Sequence, residues 1–217
     1  MIRRHYLLSE LFLKKMGAYE HRKEAYLSAV KEFARNISKN TIADIGCGSE
    51  VFGIALAEGN LVVALDIDRK LLATIKRVVA PVNADAHYLP FRLESFNVVL
   101  SLSLMEHLKD PVGHVEDLRK IVKRGGWFIL QLPNLQYFIE PHSKIPLLFL
   151  LPKRFQRIVF GKLEYAYVNT DLTIKCALKL LFTKGFVLRK VMKIYHAGVM
   201  RIMPWAPAYM FLLQKIA

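Results

Sequence analysis

Apolar residues change their spacing along this chain, and the change divides it into parts. Residues 3–16 and 20–37 carry them at helical intervals: Tyr6, Leu7, Leu11 and Met16 in the first stretch, Tyr26, Leu27, Val30, Phe33 and Ile37 in the second. From residue 41 onward, short apolar runs alternate with helical ones. TIADIG, LVVALDID, FNVVLSLS and GGWFILQLP read as strands, whereas VFGIALAE, RKLLATIKRV and PVGHVEDLRKIVK read as helices, the last opened by Pro111 behind Asp110. Such alternation predicts right-handed crossovers and a parallel, doubly wound sheet that takes ligands at the carboxyl ends of its strands. No repeat or low-complexity segment interrupts it.

With 217 residues, 53% of them apolar, the chain is long enough for one domain with a sizeable core. Its expected parts are an N-terminal helical cap (1–40), a ligand-binding core (41–141), an inserted lid over the substrate (142–168) and a C-terminal helix with a strand pair (169–217). Cys47 and Cys176 lack CxxC spacing and further partners, so neither a disulfide framework nor a structural zinc site is expected, and a reducing cytoplasm is. Glu10, Lys14 and Lys15 interrupt the N-terminal apolar residues, which argues against a signal peptide. No window reaches the roughly 18–20 apolar residues that a spanning helix needs.

Charge is uneven. The net +14 divides into +5 over residues 1–40, −2 over 41–141, +9 over 142–193 and +2 over 194–217. A solvated basic surface accounts for this, and so does an anionic partner for the flanking segments, since basic faces steer anions.

The candidate chemistry begins at DIGCGSE, residues 44–50. Gly46 and Gly48 let the backbone take positive φ and pass close to a ligand, and a helix read as starting directly afterwards would aim its free N–H groups into that space. Asp66 ends the second strand in LDID, where an acidic residue accepts both hydroxyls of a ribose; Asp68 is the better cap for a helix starting at Arg69. In NADAHYLPF, Asp85 is placed to accept an adenine amine while the Ala86 N–H donates to a ring nitrogen; an Asx turn ahead of Pro90 is the structural alternative.

In these residues the chain resembles the class I S-adenosylmethionine-dependent methyltransferases, in particular their small-molecule and lipid-type members. The likeness runs from about Thr41 to Phe186 through DIGCG, ALDID, NADAHYLPF, SLSLMEHLKDP, LRKIVKRGGWFILQLPN and LKLLFTKGF. It implies a Rossmann-like sheet of seven strands ordered 3-2-1-4-5-7-6, with FVLRKVMKIYH and AYMFLLQKIA as the last pair and the final strand antiparallel. It further implies S-adenosylmethionine as cofactor, with S-adenosylhomocysteine as product. Asp44, Gly46 and Gly48, with Ile45 and Cys47 between them, would hold the methionine part; Asp66, beside Ile67, the ribose; Asp85 and Ala86 the adenine; and Ser101 and Leu102 would line the floor near the methyl group. Glu50 departs from the pattern, which usually has glycine there. A carboxylate facing the methionine carboxylate repels it by order 1 kcal/mol at a screened 4 Å, yet a side chain in this position can swing away, or bind the ammonium instead.

Methyl transfer needs alignment behind the sulfonium and exclusion of water, and for a hydroxyl acceptor a base within reach. His107 in LMEHLKDP is the candidate base, with a backbone-bonded structural histidine as the alternative, and Glu106 reads as a capping or orienting group. No DPPY-type or NPPY-type run follows the fourth strand, neither cysteine stands as a nucleophile, and the seven histidines show no HExxH or clustered carboxylate spacing, so metal catalysis is not expected. The insert NLQYFIEPHSKIPLLFLLPKRFQRIVFGKLEYAYVN holds an apolar run between Pro146 and Pro152, followed by Lys153, Arg154 and Arg157. It reads as a packed lid, or as a segment dipping into an anionic membrane edge. A small-molecule, lipid or lipid-linked acceptor is expected. A tRNA or rRNA substrate is the second reading, and a non-catalytic cofactor-binding partner subunit the third.

Overall fold

The computed structural model describes residues 18–35, 41–75, 79–140, 142–143, 145–162, 168–195 and 205–216. The helix expected over residues 3–16 lies outside them. Helix α1 spans Ala18–Phe33, and seven strands follow: β1 Thr41–Ile45, β2 Leu61–Asp66, β3 Val79–Asn83, β4 Phe96–Leu102, β5 Val122–Pro133, β6 Phe186–Ile194 and β7 Ala208–Lys215. Between them lie helices α2 (Arg69–Leu72), α3 (Pro111–Ile121), α4 (Lys153–Lys162) and α5 (Ile174–Thr183). The strands form one sheet in the order β3-β2-β1-β4-β5-β7-β6. Pairings among β1 to β5 are parallel, and β7 runs antiparallel to both of its neighbours.

Alternation along the strands sends side chains to two cores. Ala43, Ile45, Val99, Phe128 and Leu130 face the layer of α3 and α5, whereas Ile42, Val62, Val98, Leu100 and Ile129 face α1 through Tyr26, Ala29, Val30 and Phe33. The central strands are buried on both faces, which is why they read as continuous apolar runs. The expected caps are present: the Asp68 side chain accepts from the Lys70 N–H at α2, and Asp110 accepts from the Gly113 N–H with Pro111 in the first turn of α3.

Two helices read from the sequence come out differently. VFGIALAE forms only a 3-10 turn, Phe52–Leu56, with no side-chain cap at Val51. Gly53 seats this turn: its N–H donates to Asp44 Oδ2 at 2.7 Å, and a Cβ there would meet Val62 at 3.1 Å and Asp44 at 3.3 Å. The turn is thus pinned against the sheet, and the helix-dipole argument for the loop falls with it. Within RKLLATIKRV the described helix ends at Leu72, where Thr74 Oγ1 donates to the Leu71 carbonyl and competes with the helical ladder.

The insert packs around its own small core of Leu148, Phe160 and Val168. A bridge between Ile139 and Pro146 closes the loop that precedes it. No described helix is long and apolar enough to cross a membrane.

Candidate active site

The loop after β1 is built as its glycines predict. Gly46 has φ +69° and Gly48 φ +60°, and the Gly46 and Cys47 N–H groups both donate to the Leu65 carbonyl, at 2.8 and 3.1 Å. At Gly46 there is no room for a side chain, since a Cβ would lie 2.7 Å from Leu104. Ile45 and Cys47 are buried in the two cores and contribute backbone to the loop. Burial, with the nearby Asp44 and Asp66 carboxylates, pushes the Cys47 thiol well above its ordinary range, so it is no nucleophile.

Asp66 holds the loop in place. Its Oδ2 accepts from the Gly48 N–H and its Oδ1 from the Asp68 N–H, both at 2.8 Å. One carboxylate therefore ties the β1 loop to the β2 turn, and each oxygen retains a lone pair for a ribose hydroxyl. Asn83 fixes the same turn by donating to the Asp66 and Ile67 carbonyls, whereas the Ile67 side chain is exposed. Asp44 is buried one strand away, and desolvation outweighs the Gly53 hydrogen bond to raise its pKa to about 7.

The Asp85 loop is held by histidines. Asp85 Oδ1 accepts from the His87 N–H at 2.9 Å and contacts His87 Nδ1 at 2.8 Å, so the Asx turn is present. Ala86 is buried and its carbonyl accepts from His114 Nδ1 at 2.9 Å. Burial lowers the His114 pKa to about 4, which keeps the ring neutral in this positioning contact. His114 gave no signal in the sequence beyond its place on the inner face of α3.

Glu50 is engaged by α1. Its carboxylate pairs with Lys23 of α1 at 2.8 Å. Near it, Tyr26 of the same helix packs on Phe52 and reaches Ser103 Oγ at 3.5 Å, and Ser103 donates onward to Gln131. Burial raises the Tyr26 hydroxyl to about 12. Ser103 sits at φ +51°, a conformation that non-glycine residues seldom adopt outside functional turns. The sequence did not single out Tyr26 or Gln131, because one lies on an ordinary helical face and the other within a strand.

Ser101 and Leu102 end β4 as expected, and both are buried; no partner exists for Ser101 Oγ among the described residues. Beyond them the 3-10 turn Met105–His107 carries Glu106 and His107. Glu106 is buried and its carboxylate oxygens lack hydrogen-bond partners among the described residues, so desolvation raises its pKa. His107 Nε2 stands 3.9 Å from that carboxylate, and the His107 ring meets His142 edge to face at 5.5 Å. In turn, His142 Nδ1 bonds Glu140 at 2.7 Å. Burial acts upward on Glu140, but hydrogen bonds from His142 and the Ser143 N–H outweigh it and hold the pKa below the ordinary carboxylate range. The sequence offered His107 and Glu106, but not the pair that the insert brings to them.

Residues 43–130 match the family described as "Methyltransferase domain". Over that stretch the chain is similar to this methyltransferase family. It is 25% identical over 117 residues to the ubiquinone biosynthesis O-methyltransferase of Nitrosomonas europaea, a match covering 50% of each chain. It is 30% identical over 112 residues to the tRNA U34 carboxymethyltransferase of Hydrogenovibrio crunogenus, covering 44% of this chain and 33% of that one. The chain thus spans about half the length, or less, of these curated relatives. An S-adenosylmethionine dependent methyltransferase from Mesorhizobium loti shares the fold with a TM-score of 0.68 at 17% identity, over 88% of this chain and 98% of that one. In this chain the glycine loop, Asp66 and Asp85 stand at the carboxyl ends of β1, β2 and β3, and the Glu106 turn follows β4.

Proposed function

We propose that this protein transfers the methyl group of S-adenosylmethionine to a small hydrophobic or lipid-linked acceptor at a membrane edge. The acceptor atom's lone pair forms the new bond to the methyl carbon as the carbon–sulfur bond breaks. Its electrons return to sulfur as the thioether of S-adenosylhomocysteine, and the acceptor's proton passes to a base. Supporting the cofactor half is one observation above the others: the Asp66 carboxylate bonded to both the glycine loop and the β2 turn. Calorimetry tests it. Asp66→Ala is expected to weaken S-adenosylmethionine at least tenfold, the equivalent of roughly 1.4 kcal/mol of hydrogen bonding to a charged group. Unchanged affinity would remove the ribose assignment, and cofactor binding with no turnover on any lipid or small acceptor would favour a non-catalytic partner subunit.

Support for a membrane-held acceptor comes from the insert. Leu147, Leu150, Leu151, Phe155 and Ile158 are exposed beside Arg154, whose guanidinium lies 4.9 Å over the Phe155 ring. An apolar surface rimmed by cations suits an anionic bilayer, with each cation contributing on the order of 1 kcal/mol. Lys153 and Arg157 both pair with Asp171, so reversing them would also break contacts within the fold. Sedimentation with vesicles containing anionic lipid is therefore best run with Leu150→Ser, Arg154→Glu and Phe155→Ser combined, which should lose most of the vesicle-bound fraction. Equal partitioning of wild type and variant would remove the membrane reading. Steeply salt-dependent RNA binding by both would favour the nucleic-acid substrate instead.

A further inference from the structure

We propose that Glu106, His107 and His142 bind a divalent transition-metal cation on the acceptor side of the cofactor site. Each of the three offers a ligand atom, and these atoms lie within 4.8 Å of one another. A four-coordinate ion with bonds of about 2.0–2.2 Å holds its ligands roughly 3.3 Å apart, so a modest inward rotation closes the set. His107, with 27% of its side chain exposed, has room to turn.

Two further observations point to a cation. First, the Glu106 side chain is only 2% exposed, and both its oxygens lack hydrogen-bond partners among the described residues. An uncompensated buried carboxylate is costly, and a bound cation removes that cost. Second, the Glu140 carboxylate bonds His142 Nδ1 at 2.7 Å and also accepts from the His142 and Ser143 N–H groups. This fixes the ring as in a metal-ligating histidine backed by a carboxylate. The Ile139–Pro146 bridge and the edge contact of Phe160 with the His142 ring hold the loop over the turn after β4.

Two imidazoles and one carboxylate suit Zn²⁺, Fe²⁺, Co²⁺ or Mn²⁺ rather than Mg²⁺ or Ca²⁺. At this place the cation would hold an oxygen of the acceptor and lower the pKa of its hydroxyl, the proton leaving to solvent water. His107 then acts as a ligand rather than as the base. That role in the reaction rests on the methyltransferase reading, whereas binding of the cation does not.

The experiment uses chelator-treated full-length protein titrated with Co²⁺ alone, followed by its visible ligand-field absorption and by calorimetry, with S-adenosylmethionine binding measured on the same samples. One Co²⁺ per chain is expected. His142→Ala and Glu106→Gln should each weaken it more than tenfold, and Glu140→Gln about tenfold, the usual loss for an outer partner of a ligating histidine. Cofactor affinity should stay unchanged in His142→Ala, which also reports that this variant is folded. Absence of a Co²⁺ site, or one undiminished in His142→Ala, would overturn the proposal and leave the histidines as proton carriers. Co²⁺ binding without S-adenosylmethionine binding would support the site and sink the methyltransferase reading; the reverse would do the opposite.

Discussion

The two halves of the site treat their carboxylates in opposite ways. At the ends of β1 and β2, Asp44 and Asp66 accept backbone N–H groups from Gly53, Gly48 and Asp68, so the loop is shaped before any ligand arrives. Past β4, Glu106 is equally buried but has no hydrogen-bond donor among the described residues, and of its two histidine neighbours His142 comes from a separate segment. The first half is a frame completed by its own backbone. The second is a set of ligands that needs another positive group to complete it. On the proposed function, preorganisation would belong to the part that binds the cofactor, and openness to the part that must suit a particular acceptor.

The sharpest way to break this contrast is at Gly46, where the halves touch. Gly46→Ala must adopt a left-handed φ and push Leu104 aside, the residue leading into the Glu106 turn. Strain and overpacking together should cost roughly 2–4 kcal/mol in denaturant unfolding. Gly48→Ala shares the positive φ but meets nothing within 4 Å, so it should cost only about 1–2 kcal/mol. Equal losses in the two variants would show that Leu104 yields freely and that the halves are not mechanically joined.

Asp44 tests how firmly the frame holds its charge. Its folded pKa of about 7 stands above the value of about 3.9 for an unfolded aspartate. Between these values the native state keeps a proton that the unfolded chain has lost, so stability should fall as pH rises from about 4 to about 7. Asp44→Asn can still accept from Gly53 and should lack that component, so the stability difference between wild type and variant should change across this window. A difference independent of pH would mean that Asp44 is ionised throughout. A cofactor ammonium beside Asp44 favours its charged form, so S-adenosylmethionine should also shrink the pH dependence of the wild type.

The frame was legible in the sequence because its parts are local. A strand ending in Gly-x-Gly, an aspartate at the end of the next strand and a capped helix after Asp68 are short-range patterns, and the strand order followed from the resemblance they carry. The 3-10 turn at Phe52–Leu56 was misread as a helix because apolar spacing over so few residues does not separate a single turn from a longer helix. The Glu106–His107–His142 cluster was hidden for a different reason. Motif spacing detects ligands carried on one helix or turn, whereas His142 reaches His107 through a loop closed at Ile139 and Pro146 and steadied by Glu140. Tyr26 and His114 were likewise invisible, since a core-facing residue and a site-positioning residue have the same periodicity.

Glu50 should give the smallest effect, and it tests whether the departure from the family's glycine matters at all. Its ion pair with Lys23 is about one-third exposed on both sides, and such pairs contribute at most about 1 kcal/mol. The carboxylate is turned to α1 and partly neutralised there, so its repulsion of a methionine carboxylate is weak. Glu50→Gly removes that residual repulsion and leaves the Lys23 ammonium near the loop without this partner, so S-adenosylmethionine should bind slightly tighter, by no more than about fivefold. Lys23→Met should act oppositely, since it leaves the Glu50 charge uncompensated beside the cofactor. Weaker binding in Glu50→Gly would instead place Glu50 on the cofactor's ammonium, and the frame would then include α1 as a moving part that exchanges Lys23 for the ligand.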